Sequence, residues 1–398
     1  MKELLFTLIL ISTFTGCKAQ KQESLKPINS LPLKTYFQNS ELPAAIMGYS
    51  NKEGQMKWYA YGPSVWGEKD TISENNIFRI YSMTKAIASV AALQLVEKGL
   101  IGLDDPLDKL MPEMTSIPIL NKEGELVAPS KTITLRNLLT HTAGFGYDVL
   151  DYRLQSFDKS EWKYDDLPRL FEAGERWQYG TNLDWVGKII EKISGQNLET
   201  YLRMNITGPL KMNSTWFNVP KNLQDNIVSW GTRDETGFKE YPRIPAETVT
   251  EYSAGGGLLG SPKDYLTFLE CLMNNGKYSD GQILKPETVE LMFKNQLSNG
   301  LSIDYNIPDS GLPEYMGGFP DESDTYGLAW AIEDSKDELV RTKGSVYWSG
   351  AANSYYTLDK EKGVAIVYFT QFLPSNDKVS YDFYRLFEKE VYTSLKTE

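Results

Sequence analysis

The stretch FRIYSMTKAIASVAALQLVEKG, residues 78–99, combines a strand pattern with a helix pattern. Together with Ile77, its first residues give IFRIYS, which is typical of a short strand. The following MTKAIASVAALQLVEKG is apolar on nearly every face, is rich in Ala and Leu, and stops at Gly99. A helix that is apolar all round is buried. We therefore predict a strand over 77–82 that leads directly into a buried helix.

Outward from this stretch, strand patterns occupy the two ends of the chain and helical patterns the middle. The strand patterns are a hairpin over 43–62 and strands over 325–333, 338–348, 353–359 and 364–371. The helical patterns cover 183–194, 197–204, 262–274, 286–295 and, after the last strand, 378–396. This order predicts an α+β fold: an antiparallel sheet flanked by helices, built from both chain ends, with an inserted, mainly helical lobe.

Composition excludes several classes of function. The net charge of -12 disfavours binding to nucleic acid, because phosphate backbones are repelled by an acidic surface. A single histidine, His141, and two cysteines, Cys17 and Cys271, cannot build a His-rich or Cys-rich metal site, and they do not indicate a disulfide framework. We expect neither a metal nor another cofactor.

The N-terminus is typical of a secretion signal. Lys2 precedes an apolar stretch from Leu4 to Phe14, which is too short to span a bilayer. Thr15-Gly16-Cys17 resembles a bacterial lipobox, in which the cysteine is lipidated and becomes the mature N-terminus.

We predict a lipoprotein signal peptide over 1–16, a polar tether over 17–39 and one folded domain over 40–398. The chain would then be held in the bacterial cell envelope, on the periplasmic or outer-membrane face, by a lipid anchor at Cys17 only. A cleaved signal that removes Cys17 is the alternative.

Four Ser-x-x-Lys tetrads occur, and only their contexts distinguish them. They begin at Ser82, Ser156, Ser160 and Ser375. Ser156 and Ser160 lie in one charged loop, and Ser375 is predicted to cap the last helix. Only Ser82 stands between a predicted strand and a buried helix, so it is the candidate nucleophile.

The Ser82 tetrad has a chemical interpretation. Residues three apart share a helix face, so Lys85 can approach Ser82 Oγ. The N-terminus of a helix favours developing negative charge, and removal of a lysine from water favours its neutral amine. Such an amine can accept the serine proton. The alternative is that Ser82 only caps the helix and Lys85 is solvated.

Five segments, in order, resemble the serine β-lactamase and penicillin-binding-protein superfamily, in its class C-like esterase branch. The similarity runs from about residue 40 to the C-terminus, and it implies a β-lactamase/transpeptidase-like fold and a serine hydrolase. The five segments are FRIYSMTKAIASVAALQLVEKGLIGLDDPLDKLMPE, ITLRNLLTHTAGF at 133–145, AGERWQYGTNLDWVGKIIEKISG at 173–195, GGGLLGSPKDYLTFLECLMNNG at 255–276 and VYWSGAANSYYTLDKEKGVAIVYF at 346–369.

The resemblance implies a role for each matching residue. Ser82 would be acylated, and Lys85 and Tyr179 would jointly move its proton, because the base is disputed among such enzymes. The backbone N–H groups of Ser82 and Ala351 would form the oxyanion hole. His141, in its Thr-His-Thr setting, would be structural. Gly255-Gly256-Gly257 predicts a close backbone approach near the site.

Two departures from the family pattern affect the substrate. The family's asparagine follows the tyrosine by two positions, but here Thr181 takes that place and Asn182 comes next, so both are candidates for substrate binding.

The second departure is that the Lys-Thr-Gly element reads Trp348-Ser349-Gly350. These three residues are predicted to bind substrate, and tryptophan offers an apolar wall and an N–H donor rather than a positive charge. We therefore expect an esterase or acyl-transfer enzyme acting on a small uncharged ester. The alternatives are a D,D-peptidase, an amidase or a β-lactamase-like enzyme, and a non-catalytic binding protein of the same fold.

Overall fold

A computed structural model of the chain describes residues 25–298, 300–303, 323–334 and 340–395. The predicted signal peptide and Cys17 lie outside the described residues, so the lipid anchor stays a prediction. The strands are β1 (Ala45–Asn51), β2 (Met56–Tyr61), β3 (Phe78–Arg79), β4 (Ile119–Leu120), β5 (Leu126–Val127), β6 (Trp230–Asp234), β7 (Gly237–Tyr241), β8 (Leu259–Gly260), β9 (Lys277–Tyr278), β10 (Gly281–Gln282), β11 (Thr325–Tyr326), β12 (Ala331–Ile332), β13 (Val346–Gly350), β14 (Ser354–Asp359), β15 (Val364–Phe369) and β16 (Phe372–Leu373).

Most helices lie between the two groups of sheet strands. They are α1 (Leu31–Asn39), α2 (Thr84–Glu97), α3 (Pro112–Thr115), α4 (Leu135–Leu139), α5 (Tyr152–Ser156), α6 (Asn182–Ser194), α7 (Leu198–Leu202), α8 (Pro262–Met273), α9 (Pro286–Met292) and α10 (Lys378–Leu395). The predicted helices at 183–194, 262–274 and 378–396 are confirmed within a residue or two. The helix predicted at 197–204 continues beyond α7 as a π-helical turn, Arg203–Thr207.

The main sheet takes strands from both chain ends, as predicted. Its order is β11-β12-β13-β14-β15-β1-β2, and each neighbouring pair is antiparallel. β1 lies between its hairpin partner β2 and the C-terminal strand β15. All six residues of β15, VAIVYF, are buried, as expected for a strand covered on both faces. The α+β prediction is confirmed.

The two faces of this sheet carry different helices, because side chains alternate along each strand. Ile46 of β1 packs into the core that contains α2 and α8. Met47, the next residue, packs into a second core together with Leu33 of α1 and Phe387 of α10. The sheet therefore separates α2, which carries the candidate site, from the two terminal helices.

The buried helix α2 fits its prediction. Every side chain from Thr84 to Leu95 is buried, and Gly99 follows the helix with a φ of +67°, a conformation that glycine adopts without strain. The strand predicted over 77–82 is shorter than expected. Phe78–Arg79 pairs with β8 and Ile77 makes an isolated bridge to Ile227, but the strand ends there because Tyr81–Met83 already turns as a 3₁₀ helix into α2.

Several other predicted bounds differ from the structure. The strand predicted over 325–333 is two short strands, β11 and β12, and the helix predicted over 286–295 ends at Met292. The strand predicted at 338–348 begins only at Val346, and part of its range lies outside the described residues.

The predicted tether is also wrong from residue 25 onward. Leu25 donates its backbone N–H to Gln55 Oε1 at 2.6 Å and Ile28 donates to the Tyr59 hydroxyl at 3.0 Å. Regularly placed apolar side chains in this segment, including Leu33, bury themselves under the sheet.

Two general features of the described part of the chain bear on function. None of its helices is both long and apolar enough to cross a bilayer. The same residues contain no group of three or more His, Cys, Asp or Glu side chains arranged to hold a metal ion.

Cys271 is a buried free thiol, and burial raises its pKa to about 12, which leaves it unreactive.

Candidate active site

Ser82 lies in a turn that is fixed from several directions. Tyr81, directly before it, has a φ of +44°, an uncommon conformation for a non-glycine residue that marks a sharp turn. The Tyr265 hydroxyl donates to the Met83 carbonyl at 3.0 Å, and the Leu258 N–H donates to Thr84 Oγ1 at 3.2 Å. These bonds place Ser82 at the N-terminal end of α2 and at the edge of an open cleft.

Lys85 is buried directly beneath Ser82. Its side chain is 1% exposed, and Nζ lies 3.1 Å from Ser82 Oγ. The same nitrogen lies 3.1 Å from the Tyr147 hydroxyl oxygen and donates to the Gly255 carbonyl at 2.5 Å. The predicted Ser82–Lys85 pair is thus formed, and the solvated position for Lys85 is excluded.

The glycine run positions one of these partners. Asp184 Oδ1 accepts the Gly255 N–H at 3.0 Å and the Ser253 hydroxyl at 2.6 Å. A Cβ atom on Gly255 would collide with this carboxylate, so a larger residue there would displace the Asp184 side chain. The close backbone approach predicted for 255–257 is confirmed, and Asp184 is a supporting residue that the sequence alone did not reveal.

Tyr179 contacts Lys85 through its ring. Lys85 Nζ lies 4.8 Å from the Tyr179 ring centroid, a distance at which a cation is attracted to the ring face. The indole N–H of Trp348 donates to the Tyr179 hydroxyl oxygen at 3.4 Å. Trp348 is only 2% exposed. The prediction that Trp348 forms a substrate wall is therefore corrected: it lies behind Tyr179 and orients that phenol.

The two predicted oxyanion donors border the same cleft. Ser349, Gly350 and Ala351, at the end of β13, line it together with Ser82. Gly350 packs so closely on the turn before Ser82 that an added Cβ would lie 2.5 Å from the Ile80 carbonyl oxygen. The end of β13 is thus held against the nucleophile turn by a contact that requires glycine.

Thr181 and Asn182 do not bind substrate in this arrangement. Both are buried, and Asn182 is fully so. The Asn182 amide nitrogen donates to the Phe145 carbonyl at 3.0 Å and lies 3.0 Å from His141 Nδ1. The first turn of α6 therefore directs this side chain into the protein, where it holds the loop that carries His141.

His141 is buried and takes no part in the Ser82–Lys85 contact, which supports the predicted structural role. It is completely buried, has a φ of +56°, and packs edge-on against Tyr179 with ring centroids 4.8 Å apart. Burial first, and the charge of Lys85 second, hold the pKa of His141 well below its usual value of 6.5. The imidazole is therefore neutral at physiological pH, and Ser82 has no contact with it that would make a Ser-His pair.

Replacing His141 by Asn, which tolerates a positive φ, tests this assignment. We expect kcat to stay within about tenfold. The unfolded chain takes up a proton near pH 6.5 and the folded chain does not, so His141 reduces stability as pH falls below 6.5. The stability difference between wild type and variant should therefore shrink by about 1 kcal/mol between pH 7.5 and 5.5 in urea unfolding. Complete loss of acylation in the folded variant would contradict a structural role.

The cleft at Ser82 has a volume of about 800 Å³. Ser82 lines it together with apolar and aromatic side chains that include Leu150, Tyr164 and Tyr252. Charged side chains line it too. Lys188 pairs with Asp165 at 2.5 Å, and the exposed Lys163 lies 3.8 Å from Glu251. These lysines are balanced by carboxylates, and neither belongs to the Trp348-Ser349-Gly350 element.

The chain belongs to the Beta-lactamase family, whose model matches residues 44–390. The fold, the buried Ser82–Lys85 pair and this match define it as a serine hydrolase of that family. Among its relatives is the monacolin J acid methylbutanoyltransferase of Aspergillus terreus, which is 32% identical over 79% of this chain and 81% of that protein. The lovastatin esterase of Penicillium rubens is 26% identical over 82% of this chain and 87% of its own. A mutant of simvastatin synthase from Aspergillus terreus superposes with a TM-score of 0.83 at 28% identity, over 92% of this chain and 95% of that one.

Proposed function

We propose that the enzyme moves acyl groups from small uncharged esters to water or to an alcohol through an acyl-enzyme on Ser82. One observation carries the proposal: a buried amine lies 3.1 Å from the hydroxyl of Ser82, at the edge of a large cleft. Relatives that are an acyltransferase and an esterase support it, since both reactions share the acyl-enzyme and differ in the acceptor.

Lys85, Tyr179 and two backbone N–H groups have separate roles in acylation. Lys85 accepts the proton of Ser82 as Oγ attacks the ester carbonyl carbon, with Tyr179 beside it. The N–H groups of Ser82 and Ala351 receive the negative charge that develops on the carbonyl oxygen. The alcohol then leaves, and the acyl group passes to the second acceptor by the reverse steps.

An ester is favoured over a β-lactam or a peptide carboxyl terminus by Trp348. Those substrates carry a carboxylate, and a cation in the Lys-Thr-Gly element helps to hold it in the resembling enzymes. Here Trp348 fills that position, is buried, and uses its N–H on Tyr179. The two lysines that line the cleft are already paired with Asp165 and Glu251.

A panel of p-nitrophenyl esters, with and without an added alcohol, tests the proposal. We expect p-nitrophenol release by wild type and none above background by Ser82→Ala, with a new ester detected by mass spectrometry when alcohol is present. Acylation by penicillin analogues without ester cleavage would favour the peptidase alternative. No turnover and no labelling of folded wild type by a fluorophosphonate would favour a binding protein.

We also propose that Cys17 carries a lipid that anchors the enzyme in the bacterial envelope, on the basis of the lipobox resemblance of Thr15-Gly16-Cys17. Acyl chains buried in a bilayer contribute about 0.8 kcal/mol per CH₂. We expect intact-mass analysis of the membrane fraction from a bacterial host to give a mature chain that begins at lipidated Cys17. An unmodified chain that begins after Cys17 would contradict the anchor.

A further inference from the structure

Tyr147 is a second phenol at the catalytic lysine. Its hydroxyl oxygen lies 3.1 Å from Lys85 Nζ, the same distance as Ser82 Oγ. It follows the loop HTAGFG at 141–146, which Asn182 holds through the Phe145 carbonyl. Tyr147 therefore reaches Lys85 from the end of a loop that Asn182 holds in place.

The hydrogen of the Tyr147 hydroxyl is available to a substrate. Among the described residues, Lys85 is the one hydrogen-bond partner of this phenol and donates to its oxygen, and the cleft borders its side chain. Burial first, then the neighbouring Tyr179, raises the pKa of Tyr147 well above its usual value of 10. The phenol therefore keeps its proton at neutral pH and can donate it.

The geometry of Tyr179 differs from that of Tyr147. Tyr179 presents its ring face to Lys85, and its oxygen accepts the indole N–H of Trp348. Tyr147 presents its oxygen to Lys85 instead. A proton that reaches Lys85 from Ser82 thus has a second hydroxyl, that of Tyr147, at hydrogen-bond distance from the amine.

We propose that Tyr147 is the residue that protonates the leaving alcohol during acylation and takes the proton from the incoming alcohol or water during deacylation. This inference rests on the proposed function, because it concerns the same acyl-enzyme. Tyr147 would be a catalytic residue, since its oxygen meets the reacting oxygen of the substrate in the cleft.

Acylation moves one proton from Ser82 to the leaving alcohol through Lys85 and Tyr147. Ser82 Oγ bonds to the acyl carbon, and its proton passes to the amine nitrogen of Lys85, which lies 3.1 Å away. As the carbon–oxygen bond to the alcohol breaks, Tyr147 gives its hydroxyl proton to that oxygen and receives one from Lys85. The alcohol departs neutral, and Lys85 and Tyr147 return to their starting states. Deacylation runs the same transfers backwards, with the acceptor in place of the alcohol.

A pair of esters with one acyl group and two leaving groups tests this role. p-Nitrophenolate leaves without a proton, whereas an alkoxide requires one. In single-turnover acylation of Tyr147→Phe, we expect the ethyl ester to be slowed by about 10²–10³-fold relative to wild type. The p-nitrophenyl ester should be slowed by less than about tenfold in the same variant.

Tyr152→Phe is the matched control, since it removes a hydroxyl from an exposed tyrosine five residues along the chain. It should leave both acylation rates unchanged. Equal slowing of both esters in folded Tyr147→Phe would overturn the proposal in favour of a positioning role, and no slowing of either would overturn it outright. Failure of wild type to be labelled by a fluorophosphonate is a separate result, which would reject the proposed function itself.

Discussion

Lys85→Met should lower kcat for ester cleavage about as much as Ser82→Ala does, by about 10⁴–10⁶-fold, because residues that act as one unit lose their effect together. Methionine keeps the shape of the buried stem but has no amine to accept the serine proton at 3.1 Å. It also leaves the Gly255 carbonyl without the donor that lies 2.5 Å away. Steady-state kinetics with a p-nitrophenyl ester measure the loss.

The double variant and a surface control complete this prediction. Ser82→Ala combined with Lys85→Met should be no slower than either single variant. Lys98→Met changes an exposed lysine just after the same helix and should retain wild-type kcat. A Lys85→Met enzyme that keeps more than a tenth of wild-type kcat would show that another group accepts the proton of Ser82.

Gly350→Val should have the second largest effect, a loss of about 10²–10³-fold in kcat. The added Cβ would lie 2.5 Å from the Ile80 carbonyl oxygen, and neither backbone can yield without separating β13 from the turn that carries Ser82. The Ala351 N–H then moves away from the developing oxyanion. The strain should also destabilise the fold by about 1–3 kcal/mol.

Gly350→Ala should give a smaller loss of kcat than Gly350→Val, because it introduces the same Cβ with less bulk. We expect its kcat to fall between those of wild type and Gly350→Val, while fluorophosphonate labelling slows in the same order. Thermal unfolding separates loss of activity from loss of structure. Wild-type kcat in a folded Gly350→Val protein would remove Ala351 from the oxyanion hole.

Most of the fold was predictable because its core elements have strong local patterns. Strands β1 and β15 and helix α2 are nearly continuous apolar runs, so burial on all sides follows from composition. The strand predicted over 77–82 was too long, because the chain turns early at Tyr81, which has a positive φ. The tether prediction failed for residues 25–39, because the segment is mostly polar but its few apolar side chains pack against the sheet.

The site was predictable where its parts are close in sequence. Ser82 and Lys85 are one helical turn apart, so their contact follows from the spacing. Tyr147 and Asp184 reach the site from separate loops and helices, and only the folded chain shows their distances to Lys85 and Gly255. The orientation of Asn182 into the protein was equally beyond the sequence, because one residue along the first turn of a helix changes its direction by about 100°.

Covalent labelling shows whether Ser82 is the acylated nucleophile. Folded wild-type enzyme is treated with a fluorophosphonate, digested, and analysed by tandem mass spectrometry, with Ser82→Ala treated in parallel. We expect one adduct on the peptide that contains Ser82, located on that residue, and no adduct in the variant. An adduct on another residue, or undiminished labelling of Ser82→Ala, would contradict this assignment.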